Sequence, residues 1–139
     1  MSSKAPRLRD YLGHIVEAID RIESYIGNMA EAEFKENQLL IDAVIRNIEI
    51  IGEASNRIYK HHREFREAHP EVEWRGSYEM RNVVAHDYFK VDLDVVWEAV
   101  KNYLPAMKQT VRALLLDFDE SDDDDDDRAD RPAVLPPRM

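Results

Sequence analysis

Apolar residues recur at intervals of three and four along most of this chain, and no other feature constrains its fold as strongly. From the N-terminal side they fall at Leu8, Tyr11, Leu12, Ile15, Ile19, Ile22, Tyr25, Ile26 and Met29. An α-helix turns once in roughly 3.6 residues, so this spacing lines a single helix face. A second, longer pattern runs from about Asn37 to about Lys60 through Leu39, Leu40, Ala43, Val44, Ile48, Ile51, Ala54 and Ile58. Ile45, Ile50 and Tyr59 widen that stripe, so more than one neighbour must cover it. A third runs through Leu93, Val96, Trp97, Val100, Leu104, Met107, Val111, Leu114 and Leu115. Asp92 is placed to cap its start, and Pro105 should kink it or open one of its hydrogen bonds.

Between these patterns the expected elements are shorter. Glu31 to Lys35 fits a single helical turn, and 61–68 a short helix that stops near Pro70. A further helix should begin around Ser77 and run to about Tyr88. Strand-like alternation is absent, and only 4 glycines interrupt the 139 residues. The expected fold class is therefore all-α, an antiparallel bundle of four main helices and one short one.

Charge divides the chain in two. Its net charge is −10, but residues 117–139 hold ten acids against three bases and account for −7 of it. Residues 1–116 are left near balance at −3, so the acidic total does not argue against an RNA-binding body. The Asp122–Asp127 run and the prolines after it predict a disordered acidic C-terminal tail over 117–139, beyond a bundle domain at 1–116. The plain role for that tail is solubility; the alternative is a phosphate mimic that damps binding of RNA. Cysteine is absent, which removes disulfides and thiolate metal sites. Neither a membrane-length apolar run nor a signal-peptide pattern occurs, and a cytoplasmic location is expected.

The segment Arg81-Asn82-Val83-Val84-Ala85-His86-Asp87-Tyr88 departs from the apolar pattern. An arginine, an amide, an imidazole and a phenol within eight residues suit phosphodiester chemistry. Arg presents a fixed positive fork to phosphate, and His exchanges a proton near neutral pH. On a continuous helix with Arg81 at about 0°, Asn82 lies at about 100°, His86 at about 140° and Tyr88 at about 340°. The stripes diverge, so one helix does not focus all four groups on one atom. Two copies across a two-fold axis can, which makes a composite site between subunits the expectation. The histidines lack the paired spacing of a metal cage, so cleavage without a metal ion, and with no cofactor, is expected. Arg46, Asn47 and Glu53 form a second polar set on an apolar helix. They either line the same cleft or make a buried pair that fixes helix register. Trp74 and Trp97 are expected in the core, and His61-His62 on a solvated surface.

Arg81-x4-His86-x-Tyr88 resembles the signature of HepT-type toxins of the HEPN superfamily. Asp42 to Ala54 is similar to that family's long helix. Trp74-Arg75, Tyr88 to Asp92, Val96-Trp97 and Leu104-Pro105 follow its pattern too, so the resemblance covers roughly residues 7–116. It implies a HEPN-like helical dimer and a type VII-like ribonuclease toxin with its site in the dimer cleft. Arg81 and His86 would be catalytic and Asn82 supporting. Arg46, Asn47, Glu53 and Asp87 are the candidates to line the cleft. The resemblance also implies an MNT-type nucleotidyltransferase antitoxin that transfers AMP from ATP to Tyr88. Asp87 departs from the small residue common at that position. The alternative is an inactive HEPN scaffold that binds a nucleotidyltransferase or a nucleotide.

Overall fold

A computed structural model describes residues 8–75 and 91–129, with side chains as far as Phe118. In order along the chain the helices are α1 (Leu8–Ile26), α2 (Glu31–Lys35), α3 (Gln38–His61), α4 (Arg63–Ala68), α5 (Leu93–Glu98) and α6 (Leu104–Ala129). A π-helical turn, Ala99–Tyr103, joins α5 to α6. No strand occurs among the described residues, in keeping with the all-α expectation. Nor is any described helix long and apolar enough to cross a membrane.

The first helix sits at the centre and packs against both α3 and α6. Its face of Leu12, Ile15, Ile19 and Ile22 is completely buried. Val44, Ile48 and Ile58 of α3 close over one side, and Leu104, Met107 and Val111 of α6 over the other. Burial of this kind removes apolar surface from water at about 25 cal/mol per Å², and it is the main force holding the three helices together. Phe34 of α2 is fully buried, with its ring 5.4 Å from that of Trp97. It closes one end of the bundle.

Helix ends follow from local chemistry. Gly27, at φ +55, ends α1 in a left-handed conformation that side-chain-bearing residues avoid. The Asn37 side chain accepts from the Leu40 N–H at 3.0 Å and caps α3. Asp92 caps α5 as its sequence position predicts, accepting from Asp94 N at 3.0 Å and Val95 N at 3.4 Å. Pro105 also behaves as expected, and the structure shows how. The Leu104 N–H reaches back to the Ala99 carbonyl, five residues earlier, instead of four. Pro105 has no N–H, and its ring would press on the carbonyl of Lys101 in a regular helix. Widening the preceding turn by one residue relieves both problems.

Polar contacts reinforce the central position of α1. Lys108 of α6 binds Asp20 at 3.0 Å and Glu23 at 2.6 Å. These carboxylates, Glu23 foremost, push the Lys108 pKa upward. On the other side, Arg21 Nε donates to Asn47 Oδ1 of α3 at 2.8 Å. The sequence places the end of the folded part at 116. The core stops there too, with Leu115 its last contributor, but the backbone of α6 continues as helix to Ala129. No Gly or Pro lies between Pro105 and Pro132 to break it.

Phe34→Ala should empty the buried space under Trp97 and cost about 3–5 kcal/mol of stability. Urea unfolding followed by circular dichroism measures this; a change below about 1 kcal/mol would mean that Phe34 does not close the core.

Candidate functional site

Arg81, Asn82, His86, Asp87 and Tyr88 lie in 76–90, outside the described residues. The structure fixes the two places where the chain enters and leaves that stretch. On the near side, Trp74 is buried, its ring 6.1 Å from Phe65 of α4, which directly follows the end of α3. On the far side, Asp94 pairs with Lys35 of α2, which directly precedes the start of α3.

The second polar set divides. Asn47 is buried, with 4% of its surface exposed. Besides accepting from Arg21, its Nδ2 donates to the Ala43 carbonyl at 2.9 Å. One contact anchors Asn47 within α3 and the other joins α1 to α3, so Asn47 acts as the register-fixing residue. Arg46 and Glu53 turn the other way. Seven residues apart, they share one face of α3, and both line a groove of about 560 Å³ between α1 and α3. Tyr11 and His14 of α1 form its opposite wall, Arg57 extends its rim and Ile50 lies in its floor.

The groove's charges are paired along α3. Glu53 accepts from Arg57 Nε at 2.9 Å, and Arg46 lies 3.8 Å from Glu49. Glu53 and, more weakly, the Tyr11 hydroxyl hold the Arg57 pKa above its ordinary value. Glu49 is half-buried and the other three side chains are exposed, so each pair is worth little by itself.

Three members of this groove escape sequence reasoning that looks for isolated motifs. Arg57 and Glu49 are ordinary helix charges until their spacing from Arg46 and Glu53 is noticed. Tyr11 counts as an apolar residue in the α1 stripe, and only packing shows its hydroxyl side facing the groove. His61-His62 is a partial correction. His61 is exposed, but His62 is half-buried, with its ring 6.1 Å from Tyr11. Burial, with the neighbouring His61 adding to it, lowers the His62 pKa. Both tryptophans go where the sequence places them. Trp74 is in the core and Trp97 packs against it, with Lys101 over the Trp97 ring at 5.3 Å.

Comparison with known proteins bears on the stretch the described residues leave out. A family model described as "Ribonuclease HepT-like" matches residues 15–114, which includes the whole 81–88 motif. A Methanocaldococcus jannaschii protein named as a gamma-glutamylcyclotransferase and candidate RNase is 40% identical over 111 residues. That alignment covers 80% of this chain and 49% of the relative, so this chain spans about half of that longer protein. "Probable ribonuclease HepT" of Thermococcus cleftensis is 41% identical over 100 residues, covering 72% of this chain and 88% of the relative. A candidate RNase of Caldanaerobacter subterraneus is 32% identical over 107 residues, covering 77% of this chain and 93% of the relative. No solved structure matches the chain significantly.

Two measurements check the division of the polar set. Asn47→Ala should cost about 0.5–1.5 kcal/mol, because it removes the buried side chain that bonds both Arg21 and the Ala43 carbonyl, whereas Arg46→Ala should change stability by no more than about 0.5 kcal/mol. Equal losses in urea unfolding would contradict the assignment. For His62, the lowered pKa means that the unfolded chain takes up the proton first. Stability should therefore fall as pH drops from the unfolded value near 6.5 through the lower folded value. His62→Gln should flatten that slope in melting curves taken from pH 7.5 to 5.

Proposed function

The chain belongs to the HepT-like ribonuclease family, and from that membership we propose that it is a metal-independent endoribonuclease working as the toxin of a toxin–antitoxin pair. One observation carries this reading. Arg81, Asn82, His86 and Tyr88 stand together inside the region matched by the family, around the apolar run Val83-Val84-Ala85. A purely structural helix has no use for the four together, and Asn82 is a poor helix former.

Their chemistry fits cleavage of RNA through its own 2′-hydroxyl. That oxygen attacks the adjacent phosphorus, the bond to the 5′-oxygen breaks, and a 2′,3′-cyclic phosphate forms. His86 of one subunit takes the proton from the 2′-hydroxyl, while the partner's His86 delivers one to the departing 5′-oxygen. Arg81 offsets the charge that builds on the non-bridging oxygens in the transition state. Asn82 supports it by hydrogen bonding. Because each subunit supplies one histidine, the site requires a homodimer.

Tyr88 is the point of control. A nucleotidyltransferase partner of the MNT type uses ATP: the Tyr88 oxygen attacks the α-phosphorus and pyrophosphate leaves. The attached AMP adds bulk and negative charge next to a phosphate-binding site, which excludes RNA. In this reading ATP is the partner's substrate and no cofactor of this chain. RNA and the partner meet it in the cytoplasm.

His86→Ala should abolish cleavage of RNA while leaving the helical content and the dimer intact. Incubation with the nucleotidyltransferase and ATP should add mass in AMP units, absent in Tyr88→Phe, with cleavage lost in parallel. A wild-type protein that cleaves no RNA, yet binds the nucleotidyltransferase equally with and without His86, would replace this reading with that of an inactive scaffold.

A further inference from the structure

We propose that His62 is a proton-operated hinge that holds α4, and with it Trp74, against the bundle when neutral and lets them swing into water when charged. His62 is the single residue between the end of α3 at His61 and the start of α4 at Arg63. Its backbone, at φ −133 and ψ 61, breaks the helix there. Its N–H donates to the Ile58 carbonyl at 3.0 Å, and its carbonyl accepts from the Arg66 N–H at 3.0 Å, so both helices are tied to this one residue. The side chain is half-buried, and its ring meets the buried Tyr11 ring of α1 edge-on at 6.1 Å. α4 itself is lightly held. It is six residues long and buries no side chain, and a helix that short is unstable alone. Arg66 lies over the Tyr59 ring at 4.2 Å and donates to the Tyr59 carbonyl at 3.0 Å. Phe65 reaches the other way, to the Trp74 ring at 6.1 Å. In the chain, Trp74 stands two residues before the 76–90 stretch.

The surroundings of His62 suit a neutral ring. Burial disfavours the imidazolium and the neighbouring His61 adds to this, so its pKa lies below the ordinary value. From α1, Tyr11 presents its ring, with its hydroxyl engaged by Arg57 of α3, and the His14 ring lies 6.5 Å from that of Tyr11. Asp10, the other charge beside Tyr11 on this side, is exposed. From α4 come Arg63, Arg66, Glu64 in the exposed first turn, and Glu67, which Arg63 holds at 3.0 Å. An imidazolium therefore meets water or a carboxylate only by leaving the Tyr11 ring. Because the closed position has the lower pKa, proton uptake favours the open one, and release sets in as pH falls from the ordinary value of 6.5 through the lower closed value. Trp74 is poised for that release. It is 3% exposed, yet its Nε1 finds no acceptor among the described residues. A buried donor without an acceptor is destabilising, and water satisfies it once the indole is uncovered, which offsets part of the apolar burial that is lost.

Acrylamide quenching of tryptophan fluorescence tests this in the full chain. The sequence holds two tryptophans, so Trp97→Phe leaves only Trp74. In that background the quenching constant should rise at least about twofold from pH 7.5 to pH 5.5, with most of the helix content by circular dichroism kept. His62→Phe and His62→Gln, which take up no proton, should each lose the rise. His69→Gln should keep it, although His69 packs on Phe65 at 4.5 Å and lies 3.3 Å from Glu71. A Trp74 equally shielded at both pH values, a rise that persists without the His62 imidazole or disappears with that of His69, or a rise that only tracks loss of the whole helix signal would overturn the proposal. No RNA enters these measurements, so the hinge and the ribonuclease reading stand or fall separately.

Discussion

The buried face of α1 is the constraint on which the remaining structure depends. Leu12, Ile15, Ile19 and Ile22 have no exposed surface, and covering them takes two helices, one on each side. α3 and α6 supply those covers, and each is then held in register by a polar contact. Arg21–Asn47 sets α3, and Lys108 with Asp20 and Glu23 sets α6. The apolar contacts supply most of the stability, whereas the polar ones decide which of several sliding positions is taken. That division is general: apolar packing is non-directional, and a buried hydrogen bond tolerates little displacement.

Fixing α3 on α1 has a consequence on its other face. Once Asn47 is turned inward, the helix's periodicity turns Arg46, Glu53 and Arg57 outward along one stripe. Tyr11 and His14 of α1 then face that stripe across an open groove. The same helix therefore serves the core with one side and a surface of alternating charge with the other.

Much of this was legible in the sequence, for identifiable reasons. Helix spacing reports burial directly, so α1, α3 and the start of α5 fall where the pattern puts them, and Asp92 caps as its position requires. Pro105 announced a disturbance, and the π turn before it is the form that the disturbance takes. What the sequence could not resolve was direction around a helix shared by two neighbours. Arg46 and Asn47 are adjacent in the chain and both polar, yet one lies in solvent and the other in the core. Only the position of α1 decides between them. His62 differs from His61 for the same reason: the Tyr11 ring covers one and not the other. The acidic run from Asp122 reads as a tail by composition, and the packed core ends before it at Leu115, although the α6 backbone runs on to Ala129. For the candidate site, the motif stands out in the sequence by its residue types, and the groove does not, because its residues come from two helices far apart in the chain.

The central claim is the proposed one, that catalysis needs two subunits, because a continuous helix would not aim Arg81, Asn82, His86 and Tyr88 at a single phosphate. The most direct measurement is the rate of RNA cleavage per subunit across protein concentrations that span dissociation of the dimer, with the dimer fraction determined in the same solutions. The account predicts that the rate per subunit follows the dimer fraction and vanishes with it on dilution. A monomer that cleaves at the full rate per subunit would contradict it.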